Sequence, residues 1–230
     1  MAMEDLYNDA LDSPWIHPNA PDWGELIKFA EKRVVKKNTI LVDMGDVVDT
    51  LYYLHKGQVK LSFTTRSGME KTVWYTNSPG VFGETPFFHN QPCKFIISAS
   101  KDCEFYSFKK EVLLGELANH PEIMKFILEL LAQKVRVIST QLEDLTFKEP
   151  VVRVANLLYM VVCQNGKQID KNSYSVDIRL THQEIANITG LHRVTASNAI
   201  KKLYDDGLIT KSRSSIVIPN IKLLKDLISS

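Results

Sequence analysis

The hydrophobic pattern of this 230-residue chain switches period at residue 120, and that change constrains its fold more than any other feature. Before residue 100 the apolar residues come in short runs rich in β-branched and aromatic side chains: Thr39-Ile-Leu-Val42, Thr50-Leu-Tyr-Tyr-Leu-His55, Gln58-Val-Lys-Leu-Ser-Phe63, Lys71-Thr-Val-Trp-Tyr75 and Phe95-Ile-Ile-Ser98. Turn signals separate them at Gly45-Asp46, Lys56-Gly57, Ser67-Gly68, Asn77-Ser-Pro-Gly80 and Asn90-Gln-Pro92. Short strands punctuated in this way predict a barrel or jelly roll, with a leading helix over Trp23–Ala30 packed against it. From His120-Pro121 to Thr146 the spacing becomes helical. Ile123, Ile127, Leu130, Leu131, Val135, Ile138, Leu142 and Leu145 recur mostly three or four apart, and proline stands in the first turn. A helix of about seven turns is too long to bury itself against one small roll, and a stripe with a period near 3.5 predicts a seam with a second copy. The competing expectation is that the stripe packs on its own β domain. The helix should end near Phe147–Pro150, because a residue preceding proline is biased out of the helical region.

Charge divides at the same place. The chain as a whole has 28 basic and 27 acidic side chains, a formal charge of +1. Residues 1–150 hold 17 basic against 21 acidic groups, net −4, and residues 151–230 hold 11 against 6, net +5. A near-neutral sum therefore hides a basic last third suited to a phosphate backbone. Apolar content of 44% with 24% charged residues excludes a disordered or collagen-like chain. No run approaches the length of a membrane span, and the start of the chain is acidic where a signal peptide is basic and then apolar, so a cytoplasmic protein without membrane contact is expected. Three cysteines, Cys93, Cys103 and Cys163, form no disulfide pattern.

The basic third carries the most specific local signal. After a helix over Val151–Gln164 and a strand around Ser175–Arg179, Thr181 and Glu184 have the spacing of a capping box. Ile185, Ala186 and Ile188 give the following helix an apolar face, Gly190 supplies a tight turn, and Leu191 starts a second helix with Arg193, Thr195, Ser197, Asn198, Lys201 and Lys202 on its polar side. This is a helix-turn-helix. Leu208-Ile-Thr210 and Ser215-Ile-Val-Ile218, joined through Lys211-Ser-Arg-Ser214, form a basic wing.

Roll, long helix and winged helix-turn-helix in this order resemble the CRP/FNR family of bacterial transcription regulators. The likeness is carried by Leu54-His-Lys-Gly57-Gln-Val-Lys-Leu61, by Val81-Phe-Gly83-Glu84, which is similar to the opening of the family's phosphate cassette, and by the run from Leu180 to Thr195. It implies an α+β protein with an N-terminal antiparallel β-roll (a cyclic-nucleotide-binding-like jelly roll), a long dimerisation helix and a C-terminal winged helix-turn-helix. The implied divisions are a leader over 1–22, an effector-binding roll over 23–118, a dimerisation helix and hinge over 119–149, and a DNA-binding domain over 150–230. Implied partners are double-stranded promoter DNA, a small-molecule effector, RNA polymerase and a second copy through 120–146.

Departures from the family pattern bear on the effector. Cyclic-nucleotide binders of the family follow the Gly-Glu pair with an Arg-Ser that grips the cyclic phosphate. Here the matching residues are Lys94-Phe95, and lysine lacks the bidentate fork, which disfavours cyclic AMP. Three cysteines are too few for the family's iron–sulfur branch. The chain looks most like the halorespiration-regulator, CprK-type branch: Glu70–Tyr75 is similar to that branch's tyrosine-bearing strand and Gln133-Lys134-Val135 to its lysine. This likeness implies an aromatic anion, a halogenated phenolic acid, held by Trp74, Tyr75, Gly83, Glu84, Lys94, Lys134 and Ile138, and an activator acting in halorespiration. The alternative for Lys134 is that it snorkels to solvent or pairs with Glu129 or Glu143, with Trp74 and Tyr75 serving as core.

For DNA the candidates are His182, Arg193, Val194, Ser197, Asn198, Lys201, Lys202, Lys211 and Arg213. Arg193 suits guanine or phosphate, and Ser197 and Asn198 suit base edges or backbone. Val194 stands where the cyclic-AMP branch has a glutamate and offers a methyl surface to thymine, which predicts an AT-rich half-site of TTAA character. The lysines and Arg213 neutralise phosphates. No cofactor, metal site or enzymatic activity is expected, because the six histidines lack ligand spacing. Thiol-redox sensing through Cys93 and Cys103, haem-based gas sensing, and regulation without a ligand remain as alternatives.

Overall fold

The short runs before residue 100 pair into the two sheets of a β-roll. The computed structural model describes residues 11–176, 180–212 and 215–229. Its described residues fall into two units, Pro14–Val135 and, with the segment ending at Ser13, Arg136–Ser230.

In the first unit the strands are β1 (Trp15–Ile16), β2 (Glu31–Val35), β3 (Ile40–Val42), β4 (Thr50–Lys56), β5 (Gln58–Thr64), β6 (Glu70–Asn77), β7 (Gly80–Phe82), β8 (Ile96–Ala99) and β9 (Cys103–Lys109). One sheet has the order β1-β6-β5-β8-β3 and the other β2-β9-β4-β7. Their inner faces enclose a core that includes Leu54, Leu61, Trp74, Phe82 and Phe105. Gly57 turns β4 into β5 with φ +104, and a Cβ there would lie 2.4 Å from the Asp102 carbonyl oxygen, so the turn admits only glycine.

Several elements differ from the expectation. The leading helix shrinks to α1 (Gly24–Ile27), anchored by Trp23 stacked 4.7 Å from Tyr53. The segment read as leader supplies β1, which runs parallel to β6 with Trp15 opposite Tyr75. Strand β2 has a mostly exposed, charged sequence because it lies at a sheet edge paired with β9 alone, so it lacks an apolar signature. Helices α2 (Glu84–His89) and α3 (Lys110–Leu117) are short additions beside the roll.

The long helix, α4 (Pro121–Phe147), is continuous and carries two apolar faces. Ile123, Phe126, Ile127 and Leu130 are buried with the roll core. Leu128, Val135, Ile138, Leu142 and Leu145 are exposed. With the half-buried Leu131 they alternate by three and four, the a/d pattern of a coiled-coil seam. The inner part of the stripe thus packs on its own roll, as one of the two expectations had it, while the outer part is left exposed on the described chain. Leu128, which begins the exposed stripe, was missing from the sequence pattern because its neighbours Ile127 and Leu130 belong to the inner face.

The second unit begins its own core with α5 (Pro150–Asn165), where Pro150 takes the first turn and every residue from Val154 to Val162 is buried. Around α5 pack α6 (His182–Thr189), α7 (Arg193–Asp205) and α8 (Ile221–Ser229). The last of these was not expected from the sequence. A sheet of β10 (Lys167–Gln168), β11 (Tyr174–Val176), β13 (Ser215–Ile218) and β12 (Thr210–Ser212) completes the wing, whose first strand starts at Thr210 rather than Leu208. Of the expected strand at 175–179, residues 177–179 lie outside the described residues.

Candidate effector site and DNA-reading helix

Strand alternation decides which sequence candidates meet in the roll. Neighbours on a strand point to opposite faces. Trp74 faces the core, where its ring lies 5.4 Å from the Lys134 ammonium nitrogen. Tyr75 turns the other way and stacks on Trp15 with centroids 5.7 Å apart. Lys134, only 3% exposed, donates to Glu84 Oε1 at 2.9 Å and to the Val81 carbonyl oxygen at 3.2 Å. The sequence alternatives for its partner, Glu129, Glu143 or solvent, are thus replaced by a carboxylate on another element.

Glu84 reaches Lys134 because Gly83 bends the chain between β7 and α2. Gly83 has φ +82, and a Cβ would press on the Tyr52 ring at 2.9 Å. Glu84 is itself 3% exposed, and its Oε2 lacks a hydrogen-bond partner among the described residues. Removing two charges from water is costly, and an unmet buried acceptor adds about 1–3 kcal/mol. A pair kept under those conditions is a candidate functional site.

Lys94 is exposed beside an open cavity of about 750 Å³, lined by Met44, Phe63, Thr85, Pro86 and Phe95 among others. Ile138 belongs to the second unit and is exposed on the α4 seam. Cys93 and Cys103 are buried; their thiols donate to the Phe95 and Gln58 carbonyl oxygens, each at 3.3 Å. Burial pushes both thiols above the ordinary cysteine range, which disfavours the reactive thiolate.

In the second unit the helix-turn-helix closes by local chemistry. Thr181 caps α6 by accepting from the Glu184 backbone N–H, and the Glu184 carboxylate accepts from Thr181 N–H, completing the capping box. Gly190 ends α6 in the left-handed region. His192 holds the N-cap position of α7 without a side-chain capping bond, so Arg193 rather than Leu191 is its first residue. Ala196, Ala199, Ile200 and Leu203 face inward. Arg193, Val194, Asn198, Lys201 and Lys202 are exposed on the other side, Val194 to 72%. His182 Nδ1 and Ser197 Oγ share a hydrogen bond of 2.8 Å, so these two candidates act as one group across the turn. Lys202 pairs with Asp206 at 2.9 Å. Lys211 is on β12, and Arg213 lies outside the described residues.

At the elbow between α4 and α5, Asn156 donates to both Asp144 oxygens at 3.1 and 2.9 Å. Lys148 also pairs with Asp144, at 2.9 Å. Arg153 donates to the Lys148 and Leu145 carbonyl oxygens at 2.8 and 3.4 Å, closing the end of α4.

Sequence comparison places two family descriptions on this architecture. A cyclic nucleotide-binding domain matches residues 32–120, and a Crp-like helix-turn-helix domain matches residues 152–227. The chain belongs to the CRP/FNR family. This CRP/FNR protein is a DNA-binding transcription regulator with an effector-binding domain. It is 27% identical over 181 residues to the cAMP-activated global transcriptional regulator CRP of Salmonella typhimurium, covering 77% of this chain and 84% of that one. It is 24% identical over 216 residues to the cyclic AMP receptor protein of Thermus thermophilus, covering 94% and 96%. Among solved structures, OCPA-complexed CprK has a TM-score of 0.76 at 19% identity over 92% of this chain and 97% of that one. A CooA variant from Carboxydothermus hydrogenoformans has a TM-score of 0.79 at 16% identity over 91% and 93%. These two likenesses establish the fold. Among the described residues no helix is long and apolar enough to cross a membrane.

Proposed function

We propose that this CRP/FNR regulator works in the cytoplasm as an effector-responsive homodimer that activates transcription from an AT-rich near-palindrome. In this reading residues 23–118 bind effector, the helix and hinge over 119–149 join two copies, and 150–230 bind DNA. One observation carries it: on the same rigid helix, Lys134 is buried beneath Trp74 while its neighbour Val135 is 62% exposed on the apolar seam. A ligand that alters the surroundings of Lys134 therefore acts one residue from the surface that joins the copies.

The effector proposed is a small aromatic acid, of the kind of the o-chlorophenolacetic acid named for the similar CprK, with Lys134 as its charge anchor and Trp74 as an adjoining ring. Binding shifts the population toward the DNA-competent state only if that state holds the ligand more tightly. The elbow around Asp144, Arg153 and Asn156 is where such a shift would reorient the reader.

Two copies of α7 spaced by one DNA turn, about 34 Å, would enter successive major grooves. Arg193 contacts guanine or phosphate, and Val194 covers a thymine methyl. Asn198, with Ser197 held by His182, faces base edges or backbone. Lys201, Lys202, Lys211 and Arg213 neutralise phosphates, and RNA polymerase is the partner at the promoter. Selection from random duplexes tests this reading. TTAA-type half-sites are expected, and Arg193→Ala should cost about 1–3 kcal/mol and relax one position. Recovery of GC-rich, TGTGA-like half-sites would remove the role given to Val194.

A further inference from the structure

Resting on the reading of Lys134 as the effector's charge anchor, we infer that the Glu84 carboxylate is a built-in occupant of the effector's anion subsite, and that an anionic effector binds by exchange with it. An ammonium has three N–H groups. Those of Lys134 are matched by Glu84 Oε1 at 2.9 Å, the Val81 carbonyl oxygen at 3.2 Å and the face of Trp74 at 5.4 Å. No donor is left over for an incoming carboxylate. Adding one would also set two negative charges against one positive in a site where both side chains are almost fully buried, and like charges brought together out of water repel strongly.

One existing partner must therefore yield, and the contacts identify it. Val81 is fixed in β7, paired with Tyr53, and Trp74 is part of the roll core. Glu84 is the least satisfied of the three. Its Oε2 is without a hydrogen-bond donor among the described residues, and the other contact of Oε1 is the Thr85 hydroxyl at 3.4 Å. A carboxylate that leaves this position regains the solvation that its Oε2 lacks. Exchange keeps the charge count constant, one ammonium with one anion before and after. The ligand class follows: a small carboxylate or phenolate qualifies, whereas its neutral amide or ester has no charge to offer in place of Glu84.

The test uses the full chain, acetate as a probe independent of effector identity, and o-chlorophenolacetic acid as a probe of the aromatic-acid reading. In Glu84→Ala, acetate should enter beside Lys134 and raise the melting temperature saturably, beyond sodium chloride at equal ionic strength. Wild type, in which acetate must first displace Glu84, should show a smaller rise at the same concentration, and the double variant Glu84→Ala/Lys134→Met none. Glu84→Ser carries the same measurement should the alanine variant not fold. In Glu84→Gln, which keeps the size and removes the charge, o-chlorophenolacetic acid should bind about tenfold more tightly than in wild type.

Exchange is overturned if acetate leaves the Glu84→Ala and Glu84→Ser variants unchanged, or stabilises the double variant equally. If o-chlorophenolacetic acid binds wild type but more weakly in Glu84→Gln, Glu84 is a ligand contact; exchange then fails while the aromatic-acid reading stands. If acetate rescues as expected and o-chlorophenolacetic acid binds neither form, the exchangeable subsite stands and the aromatic-acid reading fails.

Discussion

Lys134 in the roll and the lysines of α7 carry the same ammonium group, and the two regions use it in opposite ways. Lys134 is enclosed, with a carboxylate, a carbonyl oxygen and an indole face as neighbours. Lys201 and Lys202 are exposed, and Lys202 pairs with an exposed aspartate one turn along the chain. Burial makes a charge depend on one partner and answer to a change in it. Exposure makes it a screened, interchangeable contributor to a long-range field. A sensory unit needs the first kind of charge and a reader of phosphates the second.

The comparison breaks most visibly at Lys134. Lys134→Met leaves Glu84 buried without its cation, and a loss of about 3–5 kcal/mol in unfolding free energy is expected by denaturant titration. The double variant Lys134→Met/Glu84→Met should recover most of that loss, because an apolar pair of similar volume has no desolvation cost to meet. A single variant as stable as wild type would put Lys134 in the class of the surface lysines.

The outer face of the same helix gives an intermediate case. Leu142 is exposed within one chain, so Leu142→Lys should change the stability of the isolated chain by no more than about 0.5 kcal/mol. Across a dimer seam it should weaken association by about 1.5–3 kcal/mol for each leucine no longer buried. Analytical ultracentrifugation reads this as dissociation at concentrations where wild type stays paired. An unchanged association constant would remove the seam.

The smallest effect is expected at Lys202. Its pairing with Asp206 contributes about 0–1 kcal/mol at an exposed site. Lys202→Ala should leave stability nearly unchanged and lower the slope of DNA affinity against salt by about 1, uniformly across sequences. A sequence-selective loss would instead make Lys202 a reader of bases.

Legibility in the sequence followed the range of the forces involved. The capping box at Thr181 and Glu184 and the tight turn at Gly190 rest on contacts within one turn of chain, and the structure has them where the sequence puts them. The stripe on α4 was legible as a period but not as two faces, because Ile127 and Leu128 are adjacent and only packing tells them apart. Strand β1 was hidden for a similar reason. Trp15 and Ile16 are two residues in a segment with no alternation, and their partners Tyr75 and Thr76 lie far along the chain.

By itself the sequence determined the period switch at residue 120, the helix-turn-helix, and the division into an acidic sensory part and a basic reader, since each rests on neighbours along the chain. Only the tertiary structure decided that Lys134 meets Glu84 and the Val81 carbonyl 53 positions away, and that Tyr75 turns from Trp74 toward Trp15. The physical reason is that a buried charge takes its partner from whatever the closing sheets and the helix bring within hydrogen-bond distance.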